Sequence, residues 1–259
     1  MSLVYDLYQP GGSWLHRLDP RSKLVSTLCL CAVLLLARDP WLIGGLLLLT
    51  QVVLLSAGIS RQRIGWVWKL ALPTMLLIAA MWLLFYRGGG RPLLTFWRIE
   101  ISTGNLLDAL AMGLRLGALA FTFFCFLFSS EQDAIVQGLV ALGLPYRAGL
   151  TLAIALRHLP TMANALRTIS QAQQARGLDL SRGGLLQRAR AYVPITIAMF
   201  ISAIRSAERL AHALESRALG AHPQRTSLHP LRWSPADTWL MALSILASLG
   251  WLVWRFLPV

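Results

Sequence analysis

LLDALAMGLRLGALAFTFFCFLF, residues 106–128, decides the fold. It exceeds the roughly 20 residues that a helix needs to cross the hydrocarbon core of a bilayer, and its only charges are Asp108 and Arg115. Lipid offers no partner for a bare backbone, so such a segment closes its own hydrogen bonds as a helix. Working outward, four further runs have the same character: LVSTLCLCAVLLLA (24–37), WLIGGLLLLTQVVLLSAGI (41–59), WVWKLALPTMLLIAAMWLLFY (66–86) and DTWLMALSILASLGWLVWRF (237–256). The first is barely long enough to cross. Arg38-Asp39-Pro40 between the first two predicts a tight helical hairpin, with Pro40 opening the second helix. Pro73 predicts a kink in the third span.

Composition agrees with a membrane protein. The 259 residues are 56% hydrophobic and 14% charged, where soluble domains carry about a quarter charged residues. The net charge of +13 is large for so few charges. Cytoplasmic loops held by the positive-inside rule account for it, and so does a surface for an acidic partner; both stay open. Cys29, Cys31 and Cys125 all lie inside apolar runs, which argues against disulfides and against a CxxC-type metal site. The first 23 residues hold no apolar core of signal-peptide type, so the first hydrophobic run is expected to remain as a span.

Between the third and fourth spans, RGGGRPLLTFWRIEISTGN (87–105) combines a glycine-rich turn with alternation, which predicts a short extended element. Residues 129–236 are the most polar part and hold no run long enough to span. They divide into helix-like pieces at 131–145, 147–176 and 185–218, punctuated by Gly143, Pro145, Gly177 and Gly183-Gly184. Ser129-Ser130 are expected to cap the first piece. With the N-terminus cytoplasmic, Arg17, Arg21, Lys23, Arg61, Arg63 and the twelve arginines of 129–236 fall inside, while Arg38, Arg87, Arg91, Arg98 and Arg255 fall outside. The expected fold is an all-α integral membrane protein with about five transmembrane helices and a cytoplasmic region of long amphipathic helices. Residues 1–128 form the N-terminal segment and four spans, 129–236 the cytoplasmic region, and 237–259 the last span.

The two long pieces are amphipathic. In 147–176, Leu152, Leu156, Leu159, Ala163, Leu166 and Ile169 recur at spacings of three and four; in 185–218, Ile197, Ile201, Ile204, Ala211 and Leu214 do so. Helices of this length are about 45 Å long. Periodicity alone fits a hairpin with arginines toward lipid headgroups as well as it fits two levers. The arginines add a second signal. Arg176 closes QQARGLD (173–179) with Gly177 as the stop residue, and Arg217 closes LESRALG (214–220) with Gly220 a little further on. A cation at that end suits the helix macrodipole, and a forked donor there suits a carboxylate-lined groove.

No GxxxxGK[ST] loop is present, so nucleotide is expected on another chain; HExxH, GxSxG and CxxC are also missing. His222 and His229 each precede proline in a loop, where solvation explains them better than a metal does. Lys69 is expected to snorkel to the interface, and Arg115 to pair with a polar group of the bundle or of a partner. Asp19 and Arg21 read as a turn cap ahead of the first span, with an ion pair as the rarer alternative.

Four features together resemble a known family. SWLHRLDPRSKL (13–24) carries the core HxxDPRxK, EQDAIVQGLVALGLP (131–145) reads as a short helix ending in Leu-Pro, Ala175-Arg176-Gly177 forms one Ala-Arg-Gly motif, and Ser216-Arg217-Ala218 stands in place of a second. In this order they are similar to the T component of energy-coupling-factor importers, the CbiQ/EcfT-like family. The departure is SRA for ARG, which retains the arginine. The resemblance implies a coupling subunit in the plasma membrane, with no catalysis and no cofactor of its own. ATP would be bound by two partner ABC-type ATPase subunits, and cargo, a vitamin or other micronutrient, by a small integral-membrane substrate-binding subunit. Ala175, Arg176, Gly177, Ser216, Arg217 and Ala218 would dock in the ATPases, with Arg115, Arg157, Arg205 and Arg209 as candidate subunit-interface residues. Lipids are the remaining partner, and nucleic acid is not one. The competing class is a membrane-embedded enzyme acting on phosphorylated or lipid-linked substrates, which the 11 mostly isolated acids serve poorly. A permease binding its own cargo would need more polar side chains inside the spans.

Overall fold

A computed structural model describes residues 11–86, 92–96, 99–179, 184–219, 231 and 233–256. Gly183, Gly220, His222 and His229, and the glycine-rich turn at 87–91, lie outside the described residues. The order of elements is α1 (Trp14–Arg17), α2 (Pro20–Leu36), α3 (Pro40–Ser56), α4 (Arg61–Phe85), β1 (Pro92–Phe96), β2 (Ile99–Ser102), α5 (Thr103–Ser129), α6 (Gln132–Ala141), α7 (Tyr146–Ala175), α8 (Leu185–Ser216) and α9 (Pro235–Phe256). The fold is all-α apart from the β1–β2 hairpin, antiparallel with Phe96 opposite Ile99.

Prolines and caps set the ends of the membrane helices. Pro20 opens α2 behind Asp19, whose carboxylate accepts the Arg21 N–H at 2.9 Å, and Pro40 opens α3 behind Asp39. Ser102 caps α5 by accepting the Asn105 N–H at 3.2 Å. Helices α4, α5 and α9 are long and apolar enough to cross a membrane, while α3 is apolar but only 17 residues long. The equally short α2 carries Arg21 and Lys23 in its first turn. At 1.5 Å per residue both helices of the hairpin reach about 25 Å, somewhat less than the hydrocarbon core.

Two compact units are present: one runs to Gly149 and resumes at Leu231, and the other is Leu150–Pro230. In the first, α5 is the hub and packs on α2, α3 and α4, while α2 also packs on α6 and α9. The approach of α4 depends on glycine. A Cβ on Gly113 would lie 3.1 Å from the Met75 carbonyl oxygen and 3.3 Å from Ala79 Cβ, and one on Gly117 would meet the Met75 side chain at 2.6 Å. This is a GxxxG contact, in which missing side chains let two backbones come close. Below it, Phe121 and Phe128 are fully buried, with Trp68 packed on Phe121 at a centroid distance of 5.1 Å. Outside, Trp41, Leu48, Leu76, Leu77, Phe85 and Leu246 are exposed, as lipid-facing side chains are.

The start of the first polar helix differs from expectation. Helix α6 begins at Gln132 with Glu131 as its cap residue, and Ser129 and Ser130 close α5 instead. Ser129 is the last residue of α5, where its carbonyl accepts from Lys23 Nζ at 2.8 Å.

Gly113→Leu should force α4 from α5 and cost about 1–3 kcal/mol of stability, read as a lower midpoint of thermal unfolding in detergent. Gly45, which has open space around its Cα, should accept alanine with little change in that midpoint.

Candidate docking site

The arginines singled out at positions 176 and 217 stand in the same backbone geometry. At the end of α7, the Gly177 N–H donates to the Gln174 carbonyl at 2.9 Å and the Leu178 N–H to the Gln173 carbonyl at 3.0 Å. Gly177 has φ +91°, so the chain leaves through the left-handed region. This pair of bonds is a Schellman turn, and it makes Arg176 the C-cap residue. At the end of α8 the pattern recurs 41 residues later: Ala218 N–H to Glu215 carbonyl at 2.9 Å, and Leu219 N–H to Leu214 carbonyl at 3.0 Å. Arg217 is the C-cap there. Both arginines are exposed, as are Ala175, Gly177, Ser216 and Ala218.

The second stop differs from the expectation. The residue in the left-handed region is Ala218, with φ +56°, one place after the arginine, so no glycine is needed to end α8. Ser216-Arg217-Ala218 therefore takes the same shape as Ala175-Arg176-Gly177, with a methyl group where the first turn has hydrogen. That methyl costs about 1–2 kcal/mol in a left-handed residue.

The remaining arginines divide in two. Arg157, Arg205 and Arg209 are exposed on α7 and α8, Arg209 donating to Ser206 Oγ at 3.1 Å. Arg115 is part-buried in α5, where Nη2 donates to the Ala37 carbonyl and Nη1 lies 3.4 Å from Met112 Sδ. Ala37 is the C-cap of α2, so a guanidinium from a neighbouring helix closes an orphan carbonyl at the negative end of α2's dipole. Arg115 thus pairs inside the bundle. Lys69 is exposed, as a snorkelling residue would be.

The HRLDPRSK segment forms a second polar site. Asp19 acts as the expected cap, and the Arg21 Nε to Asp19 Oδ1 distance of 3.9 Å leaves their ion pair long. The carboxylate that sequence reading missed is Asp237, fully buried in the first turn of α9. Its Oδ1 accepts the Asp19 N–H at 2.7 Å and Ser22 Oγ at 2.8 Å, and its Oδ2 accepts the Ser234 N–H at 2.9 Å. Its hint in the chain is an acid two residues after a proline at the head of an apolar run.

The fold defines a polytopic α-helical membrane protein carrying two long, exposed helices with matched arginine ends. Its sequence matches the family described as cobalt transport protein (CbiQ) over residues 11–228. Relatives include the energy-coupling factor transporter transmembrane protein EcfT of Lactococcus lactis subsp. cremoris (strain MG1363), 31% identical with 98% of each chain covered. That of Listeria innocua serovar 6a is 30% identical over 97% of each chain, and that of Thermanaerovibrio acidaminovorans 34% identical over 92% of each. The chain belongs to this CbiQ/EcfT family and is a membrane component of an energy-coupling factor transporter, which works with other components.

Ala218→Gly should relieve the strained turn by about 1 kcal/mol, slowing hydrogen exchange at the Leu219 amide roughly fivefold; Gly177→Ala should speed exchange at Leu178 by a similar factor.

Proposed function

We propose that the chain is the coupling subunit of a vitamin or micronutrient importer, passing ATP-driven closure of two ABC-type ATPase subunits to a membrane-embedded substrate-binding subunit. The observation that carries this is the repeated arginine turn. Two separate helices end with one geometry, and two copies of one partner surface would select that repetition. Each guanidinium is a rigid fork of donors suited to a carboxylate-lined groove, and the left-handed residue after it turns the chain aside so that the fork leads.

The lever reading gains over the hairpin one from packing. Among the described residues α7 and α8 share no extended contact, so they do not lie flank to flank as a closed hairpin. Helix α8 also exposes Leu186, Val193, Ile197, Phe200 and Ile204, an apolar stripe suited to a hydrophobic partner such as the substrate-binding subunit. Both arms lie on the cytoplasmic side of the plasma membrane, where the arginines of 129–236 satisfy the positive-inside rule and ATP is available. ATP binding and hydrolysis belong to the partner ATPases, and this chain does no catalysis and holds no cofactor.

The test is co-purification with the ATPases. Losing a charge-assisted bond costs about 1.5–3 kcal/mol, so Arg176→Ala or Arg217→Ala should weaken ATPase association roughly 10- to 100-fold, and the double variant should lose it. Lysine at either position should restore only part, since a point charge cannot replace a fork. Retention of both ATPases by a correctly inserted double variant would rule the reading out.

A further inference from the structure

Within the HRLDPRSK segment, Asp19, Ser22 and Lys23 are committed to buried contacts. Asp237 ties the start of α9 to Asp19 and Ser22 at the start of α2, and Ser26 Oγ adds a bond to Ser244 Oγ at 3.2 Å two turns along. Lys23 Nζ holds the last carbonyl of α5, that of Ser129, at 2.8 Å. Three helix ends are thereby fixed at one level by groups that would be costly to leave unpaired.

A second layer rests on the first. Helix α6 packs on α2 so closely that a Cβ on Gly138 would lie 3.1 Å from Pro20 Cβ. Pro20 is the residue between Asp19 and Arg21, so α6 sits on the proline whose neighbours are bonded to Asp237 and to each other. A third layer rests on the second. A Cβ on Gly149 would lie 2.1 Å from Val140 Cγ2, closer than any van der Waals contact, so the first turn of α7 is seated on α6.

The turn between them is also closed. Gly143 takes φ +121°, its N–H donates to the Val140 carbonyl at 3.2 Å, and the Leu144 N–H donates to the Leu139 carbonyl at 3.0 Å. The Gly149 N–H then donates to the Pro145 carbonyl at 3.1 Å. Gly149 is the one buried residue of α7 among those described. Packing holds the root of the helix and leaves the rest of its length largely exposed.

We propose that Asp237, Asp19–Lys23 and α6 form a fixed mount for the root of α7, so that displacement of the Arg176 end moves the helix beyond Gly149 without sliding it as a whole. The mount rests on the coupling reading, since it gives one lever its fixed end. Asp237, Gly138 and Gly149 are positioning residues: each acts on α7 through another element and none meets ATPase or cargo. Val140 is stiff at χ1 in a helix, so a methyl group at position 149 displaces the root of α7 and is not absorbed by a rotamer change.

The experiment uses the complex purified with its ATPases, reconstituted in lipid, with Cys29, Cys31 and Cys125 replaced by alanine. Spin labels at Gln137 and Ala148 report the root of α7, and labels at Gln137 and Gln174 report its far end. On adding ATP and magnesium, the root pair should keep its separation while the far pair shifts. Gly149→Ala should leave the ATPases bound but broaden the root distribution and reduce the shift of the far pair at least roughly twofold. Val140→Ala in the same chain removes the opposing methyl and should restore both. Should Gly149→Ala not assemble, Gly138→Ala against Pro20 loosens the layer below and should damp the far-pair shift likewise.

A root pair that shifts as far as the far pair would overturn the mount while leaving coupling intact. An undiminished far-pair shift in the glycine variants would do the same. If neither pair moves although the ATPases bind nucleotide, the coupling reading itself falls and the mount falls with it.

Discussion

The Asp237 carboxylate is the contact on which the membrane bundle depends. It joins residues 218 positions apart, closing the chain's last long helix onto its first. A buried carboxylate is tolerable only with its oxygens bonded, and here two backbone N–H groups and a serine hydroxyl supply the bonds. Because the donors include the cap residue of α2, the same contact sets where α2 begins. Because α2 touches α5, α6 and α9, the level of those helices follows from it. The HxxDPRxK pattern has a physical meaning in these terms: Asp19 caps, Pro20 opens the helix and supports α6, Ser22 meets Asp237, and Lys23 holds the end of α5.

Helices α7 and α8 end in one turn built from different residues. Backbone geometry is the conserved quantity between the two ends, since the hydrogen-bond offsets match and the arginine is the C-cap in both. The SRA motif is therefore less of a departure from ARG than its letters suggest. It keeps the shape and carries a small strain at Ala218.

Much of this was legible in the sequence because it is local. Spans follow from apolar length, α3 from the proline after Asp39, and the α7 stop from Gly177, each a matter of a few neighbouring residues. What was hidden is non-local or lies in the backbone. Arg115 announced itself as a costly charge in a span, but its partner is the carbonyl of Ala37, which any residue would supply. Ser129-Ser130 looked like caps of the helix after them, yet they close α5, and the carbonyl of Ser129 is held by Lys23 from 106 residues away. Ala218 has no signature for a left-handed turn, and Gly220 drew the stop too far along. Asp237 is one acid at the head of an apolar run until α2 is placed beside it.

The central claim is that the two arginine turns are equivalent arms, each engaging one ATPase. It is tested most directly by cross-linking from single cysteines at Ala175 and Ser216, in a chain without its native cysteines, within the intact transporter. Each site alone should capture one ATPase chain, and the double-cysteine chain should capture two. Capture from only one site, or from neither in a complex that still contains the ATPases, would contradict the account.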